Sequence, residues 1–302
     1  MKKVAAVVVT FNRKVLLTRN IEALLAQDCS DLDILVIDNA STDGTKEHIS
    51  HFVKNRQILY YNTGKNLGGA GGFNFGMKLA VTAGYNYIWI MDDDTIPCPD
   101  ALTELLSANA VLEGNYGFLS SIALWKDGTP CKMNKQKSIK NWYDNAAHMK
   151  YSLLRLYHAT FVSFFVPSAI VKQEGLPIKE FFIWGDDVEY SGRLAKKYPC
   201  YLAGRSQVLH DTANNEGSNI ARDDVTRIGR YKFAYRNEMY IARKNGIKGL
   251  LRQFAKIALH MIRVLTHGSH KLKKWGIILG SSFKGLFFNP AIEYAGGNDG
   301  EN

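Results

Sequence analysis

The sequence predicts an α/β fold: a mostly parallel sheet of the nucleotide-binding type, flanked by helices and followed by a basic helical extension. Three observations carry that reading. Short β-branched runs alternate with helically spaced segments from Val4 to Pro97, as crossover connections in a parallel sheet require. The early runs end on polar residues, which a parallel sheet gathers on one edge, where ligands bind. Beyond Glu238 the chain keeps helical spacing but loses its acidic residues.

Val4–Thr10, VAAVVVT, is the first strand, followed by a loop at Phe11–Arg13. Lys14–Gln27 has helical spacing, with Val15, Leu16, Ile21, Leu24 and Leu25 available to one face. Leu32–Ile37 is a second strand closing on Asp38 and Asn39. Ser41–Thr45 is a turn able to cap a helix over Lys46–Lys54. Gln57–Tyr61 is a third strand. Asn66–Gly76, NLGGAGGFNFG, reads as a glycine-rich loop leading into a helix over Met77–Ala83. Tyr85–Pro97 is the stretch on which the rest is organised: Tyr87–Ile90 form a buried strand that ends in three carboxylates, Asp92, Asp93 and Asp94. A helix within Pro97–Glu113 and a strand over Phe118–Trp125 follow. Lys126–Lys150 is polar, without period, and reads as a mobile loop. Tyr157–Val166 is strand-like, Val171–Gly175 a helix end and Ser191–Lys197 a helix. Tyr201–Leu209 is a last strand closing on His210 and Asp211.

Composition narrows the function. The chain has 302 residues, 46% hydrophobic and 22% charged, enough for one large domain and an appendage. Its 4 cysteines form no CxxC pair, which argues against a zinc ribbon or a disulfide framework and suits a reducing cytoplasm. Met1–Lys3 and the apolar run behind them outline a short signal peptide, but the run is β-rich and lacks a small-residue cleavage site, so it is taken as a strand. No apolar stretch reaches the roughly 18–20 residues of a membrane span. The glycine stretch has neither the P-loop form nor a clean dinucleotide fingerprint, which disfavours an NTPase or a dehydrogenase. The net charge of +10 sits in the tail: between Met239 and Ile292 there are 10 lysines and arginines and no acid. Residues 1–238 are therefore read as one unit and 239–302 as a basic amphipathic helical region.

Three acids at a strand end resist joint desolvation and demand a countercharge. A divalent metal on Asp92 and Asp94 supplies it; a solvated helix-capping turn is the other reading. His210, ending a late strand, is either a third ligand or a structural histidine. Asp38 could hold a nucleoside or cap a turn with Ser41. Asp186, Asp187 and Glu189 follow the aromatic run Phe181–Trp184. They are either a general base with a raised pKa or the charge of a helix N-terminus.

In order, VVVTFNR, VIDNASTDGT, NLGGAGGFNFG, WIMDDD, WGDDVEY and a late LH resemble family 2 glycosyltransferases of the GT-A fold. Bacterial galactofuranosyltransferases are the nearest group and related rhamnosyltransferases the second. The likeness covers Lys3 to His210 and extends to Tyr235-Arg236-Asn237. It implies that Thr10, Asn12, Arg13 and Asp38 hold the nucleoside. Asn66, Gly68, Gly69 and Ala70 would line the donor phosphates or sugar, and Asp93 would face the ribose or donor sugar. Asp92, Asp94 and His210 would bind Mn2+ or Mg2+. Asp187 would be the catalytic base, with Asp186 beside it around the acceptor; a shift of one residue in matching WGDDVEY would exchange the two roles. Glu189 would lie around the acceptor, and Trp184 would wall a sugar ring.

The resemblance implies an inverting, metal-dependent transfer from UDP-galactofuranose, or alternatively dTDP-rhamnose, to a cell-surface or lipid-linked glycan. The basic amphipathic tail fits an anionic membrane surface, placing the protein at the inner face of the cell membrane. A helix packed on the catalytic unit is the tail's other reading. A basic nucleic-acid-binding protein is the competing class, but the body is neutral and shows no RRM, helix-turn-helix or zinc-finger signature, so no specific nucleic acid is expected.

Overall fold

A computed structural model describes residues 4–224 and 226–296; Met1–Lys3 and the end of the basic extension, 297–302, lie outside the described residues. The strands are β1 (Val4–Thr10), β2 (Leu32–Asp38), β3 (Leu59–Asn62), β4 (Tyr87–Asp92), β5 (Thr95–Pro97), β6 (Leu119–Leu124), β7 (Lys137–Ser138), β8 (Leu153–His158), β9 (Phe164–Pro167) and β10 (Cys200–His210). The helices are α1 (Lys14–Leu25), α2 (Thr45–His48), α3 (Ser50–Lys54), α4 (Gly68–Thr82), α5 (Ala101–Val111), α6 (Trp142–Met149), α7 (Ser168–Glu174), α8 (Asp186–Ala195), α9 (Tyr231–Lys244), α10 (Gly246–His267) and α11 (Lys271–Phe287).

All the strands join one sheet in the order β3-β2-β1-β4-β9-β6-β10-β8-β7, with β5 added to β10. β1, β2, β3, β4, β6, β7 and β10 run one way, and β5, β8 and β9 the other. The sheet is mostly parallel, as expected. β1 is buried on both faces because alternate residues feed two layers. Val4, Ala6 and Val8 pack with Leu17, Ile21 and Leu24 of α1. Ala5, Val7 and Val9 pack with Phe73 and Met77 of α4.

The register puts the strand ends together. Thr10 pairs with Asp38, Asp38 with Asn62, and Val9 with Asp92. After Asp94 the chain folds back as β5 along β10, so that Thr95 pairs with His210. The Asp211 N–H donates to the Asp94 carbonyl at 2.8 Å. This short antiparallel return carries a histidine from far along the chain to the acidic strand end.

Several expectations are corrected. The glycine stretch is not a loop; it is the first half of α4. A Cβ on Gly72 would sit 2.5 Å from Val9 Cγ1, and one on Gly76 would overlap Val7 and Ile37, so these glycines let α4 lie close on the sheet. Gly72→Ala is expected to lower the chemical-unfolding midpoint through about 1–3 kcal/mol of overpacking. On an exposed helix face the same change would stabilise by about 1 kcal/mol. A raised midpoint would mean that α4 can lift off the sheet without loss.

Lys126–Lys150 is not an unstructured loop, since it contains β7 and α6. Tyr157–Val166 is two strands parted by a turn, because β8 pairs with β10 while β9 crosses to β4 and β6. The helix expected from Ser191 begins at Asp186. The change in charge at Glu238 falls inside α9, which packs with α10 and α11 in one apolar cluster that also touches Trp184. Lys274, counted above with the basic tail, is fully buried, and its Nζ donates to the Ala221 carbonyl at 3.0 Å.

Candidate active site

The acidic strand end forms one wall of a cleft of about 650 Å³. Thr10 Oγ1 donates to Asp93 Oδ2 at 2.7 Å. Arg13 Nη1 donates to Asp94 Oδ2 at 2.6 Å and more loosely to Asp93 Oδ1 at 3.3 Å. Burial lifts the Asp92 carboxyl well above the usual carboxylate value, and the charges of Asp94 and Asp93 lift it further. Burial also raises Asp93, to about 6, against the pull of Arg13. It pushes Asp94 up as well, but His210 and Arg13 outweigh it and hold that carboxyl below its ordinary value. One guanidinium is thus shared among three crowded acids.

The donor set suits a cation. Asp94 Oδ1 is buried and accepts no hydrogen bond, and it faces His210 Nε2 at 3.2 Å. His210 Nδ1 lies 2.6 Å from Asn134 Oδ1. An amide oxygen only accepts, so Nδ1 donates to Asn134, and Nε2 is the ring nitrogen that faces Asp94. Asp94 Oδ1 and His210 Nε2 are both metal-ligating atoms aimed at one point of the cleft wall, and Asn134 is the kind of second partner that orients a ligating histidine. Among the described residues no group of three or more His, Cys, Asp or Glu side chains forms a ready-made metal cluster.

The opposite wall is the segment Phe182–Asp187. Phe182 (φ 65°) and Trp184 (φ 65°) hold left-handed backbone that side chains disfavour. Buried Asn237 holds them there: its Nδ2 donates to the carbonyls of Phe181 (3.0 Å), Ile183 (3.3 Å) and Trp184 (2.8 Å). The YRN element is therefore a clamp for this loop. From the other side, the Ala70 N–H donates to the Phe182 carbonyl at 3.2 Å. Gly68 (φ +72°) passes so close to that carbonyl that a Cβ would overlap it.

Gly185 turns the chain into α8, whose first turn carries Asp186, Asp187 and Glu189. Asp187 Oδ1 accepts from the Val188 N–H at 2.7 Å. Burial raises both Asp186 and Asp187, and Asp186 is raised further by the charge of Asp187. The helix N-terminus favours the ionised forms but does not offset that desolvation.

Of the expected site residues, Thr10, Arg13, Asn66, Gly68 and Gly69 line the cleft on the donor side. Asp92, Asp93, Asp94 and His210 line it at the acidic edge, and Trp184, Asp186 and Asp187 face it from the other wall. Four lie elsewhere. Asp38 is buried and committed to the Ser41 N–H (2.8 Å) and the Tyr60 hydroxyl (2.6 Å). Asn12 Oδ1 accepts from the Thr42 N–H at 2.7 Å. Ala70 is packed inside. Glu189 pairs with Arg193 at 2.9 Å and faces a second groove. Asn39, Asn134 and Arg230 also line the cleft. The unpatterned stretch around Asn134 gave no signal for it, and Arg230 precedes a helix that marks no strand end.

The family described as glycosyl transferase family 2 matches residues 5–166. The galactofuranosyltransferase GlfT1 of Mycolicibacterium smegmatis is 26% identical over 265 residues, covering 83% of this chain and 86% of that protein. A GalNAc(5)-diNAcBac-PP-undecaprenol beta-1,3-glucosyltransferase of Campylobacter jejuni is 28% identical over 239 residues, covering 78% of this chain and 71% of its own length. Among solved structures, the mannosyltransferase PcManGT from Pyrobaculum calidifontis, in complex with GDP-Man and Mn2+, matches the fold with a TM-score of 0.57 at 14% identity, covering 94% of this chain and 86% of that one. The family match spans more than half of the sequence and the whole acidic strand edge, and the fold is of the GT-A type: the chain belongs to glycosyl transferase family 2.

Proposed function

We propose that the protein transfers galactofuranose from UDP-galactofuranose to the glycan of a lipid-linked acceptor, with inversion at the anomeric carbon. The observation that carries this is one cleft with two opposed acidic walls, Asp92–Asp94 with His210 on one side and Asp186–Asp187 on the other. The names of the galactofuranosyltransferase relatives support the donor sugar, and the lipid diphosphate in the name of the Campylobacter relative supports the acceptor class.

Asp92, Asp94 and His210 would hold Mn2+ or Mg2+, which supplies charge neutralisation to a leaving diphosphate. Gly69, at the N-terminus of α4, offers a backbone N–H to the donor's phosphates, while the Gly68 N–H donates to Asn66 Oδ1 at 2.8 Å. Thr10, Arg13 and Asp93 lie towards the nucleoside, and Trp184 offers an aromatic face to a sugar ring. Asp187 takes the proton of the acceptor hydroxyl as its oxygen bonds to the anomeric carbon and the bond to the diphosphate oxygen breaks, releasing UDP. Asp38 and Asn237 act by holding the strand end and the loop rather than by touching substrate.

Calorimetric titration with UDP and with dTDP, each with and without Mn2+, tests the donor side. Metal-dependent binding of UDP in preference to dTDP is expected. A preference for dTDP would move the donor to rhamnose, and no binding of either would remove the reading.

We also propose that α10 and α11 dock on an anionic lipid surface. On α10, Ile247, Leu251, Phe254, Ile262 and Leu265 form one uncovered apolar stripe, and on α11 Leu272, Phe283 and Phe287 form another. Exposed lysines and arginines flank them without any acid between Met239 and Ile292. Each such cation gains about 1 kcal/mol near anionic lipid. No helix among the described residues is long and apolar enough to cross a membrane. In flotation with phosphatidylglycerol vesicles, the double variant Leu251→Glu/Phe254→Glu is expected to partition at least tenfold less than the wild type; equal flotation would assign the face to another role.

A further inference from the structure

A second, larger groove adjoins the acidic cleft. It encloses about 880 Å³ between α8 and the α9–α10 pair, and it meets the cleft at Trp184 and Gly185, which line both. Its charge is one-sided. The acids in its wall are already neutralised: Glu189 by Arg193 at 2.9 Å and Glu238 by Lys256 at 2.7 Å. Lys137, Lys196, Lys248 and Arg252 also line it, and among the described residues none of them has a carboxylate partner. Lys196 Nζ is held by a neutral group, Asn245 Oδ1, at 3.1 Å, so it is positioned without losing its charge. Lys248 and Arg252 lie one turn apart on α10, beside the uncovered apolar stripe of Ile247, Leu251 and Phe254.

We infer that this groove binds the diphosphate of a lipid-linked glycan acceptor, with Lys196, Lys248 and Arg252 as its anion contacts. The inference rests on the acceptor class proposed above and adds the place where that acceptor is held. One end of the groove opens at Trp184, beside Asp187, where the acceptor sugar must present its hydroxyl. The other end runs along the basic stripe to the edge of the apolar face, where a lipid tail leaves for the membrane. Two linked phosphates need several cations within a short span, and an uncompensated basic groove supplies them, whereas a neutral glycan needs none.

The test uses the full chain and farnesyl diphosphate as the probe, titrated by calorimetry with saturating UDP present so that the donor cleft is filled. The wild type is expected to bind farnesyl diphosphate and not farnesol, and the triple variant Lys196→Gln/Lys248→Gln/Arg252→Gln to bind it at least tenfold more weakly with UDP affinity unchanged. Equal binding by the two proteins overturns the proposal. So does displacement of the probe by an equal concentration of dihexanoylphosphatidylglycerol, which would make the groove a phospholipid headgroup site. If UDP itself fails to bind, the donor reading falls, while the groove is still judged by the farnesyl diphosphate titration.

Discussion

Replacing Asp187 by asparagine is expected to leave UDP affinity within a factor of two and to reduce turnover by about 10²–10⁴, the usual contribution of a general base. The substitution keeps the shape of the side chain and the bond from the Val188 N–H, so a loss of turnover reports chemistry and not folding. The pH dependence follows from the direction of the shift. A base must be ionised, and burial raises the Asp187 carboxyl, so the acidic limb of the rate should lie above the ordinary carboxylate range, with activity lost as pH falls through the raised value. Asp186 is raised more, by burial and then by the charge of Asp187, so its proton is retained when its neighbour ionises. Asp186→Asn should therefore keep more turnover than Asp187→Asn. The opposite order would hand the base to Asp186. Stability gives a second readout. Carboxyls raised in the folded state bind protons more tightly than in the unfolded chain, so their contribution is full at low pH and is lost as pH rises through the raised values. Either asparagine variant should thus melt higher than the wild type at neutral pH, with the difference vanishing in acid.

Asp94→Asn should abolish transfer, by at least 10²-fold, and remove any rise in melting temperature on adding Mn2+. At a metal concentration a hundred times its dissociation constant, that rise corresponds to about 2.7 kcal/mol for the wild type. The variant should fold. Its amide keeps the shape of the carboxylate, with an oxygen left for Arg13 and the N–H₂ on the side of His210 Nε2. Because Asp94 is held below its ordinary value, its charge stabilises the fold above the ordinary carboxylate range, and melting without metal at neutral pH should be modestly lower. A variant that keeps the Mn2+-dependent rise would take Asp94 out of the metal set, and one that melts far lower would show that its pairing with Arg13 is structural.

Residue order alone was enough for the strand edge. β-strands alternate their side chains with a period of two, so the apolar runs of β1, β2 and β4 could be recognised as buried, and their polar ends had to share one side of a parallel sheet. The same local logic failed at Asn66–Gly76. Glycine weakens an isolated helix, so a run of glycines reads as a loop. The helix forms because packing against Val7, Val9 and Ile37 requires residues without a Cβ, and that requirement comes from two strands much earlier in the chain, β1 and β2.

The carboxylates, their order and the basic tail are properties of the chain, because charge and apolar spacing are carried by the residues themselves. Which of them meet is a property of the fold. Asp38, at a strand end like the others, turns inward because Tyr60 and the Ser41 N–H claim its oxygens. His210 reaches Asp94 only through the antiparallel return of β5 on β10. Asn237 holds the Phe181–Trp184 loop from a helix more than fifty residues later. Contacts between distant segments depend on register and on competition for hydrogen bonds, and neither is settled until the chain has packed.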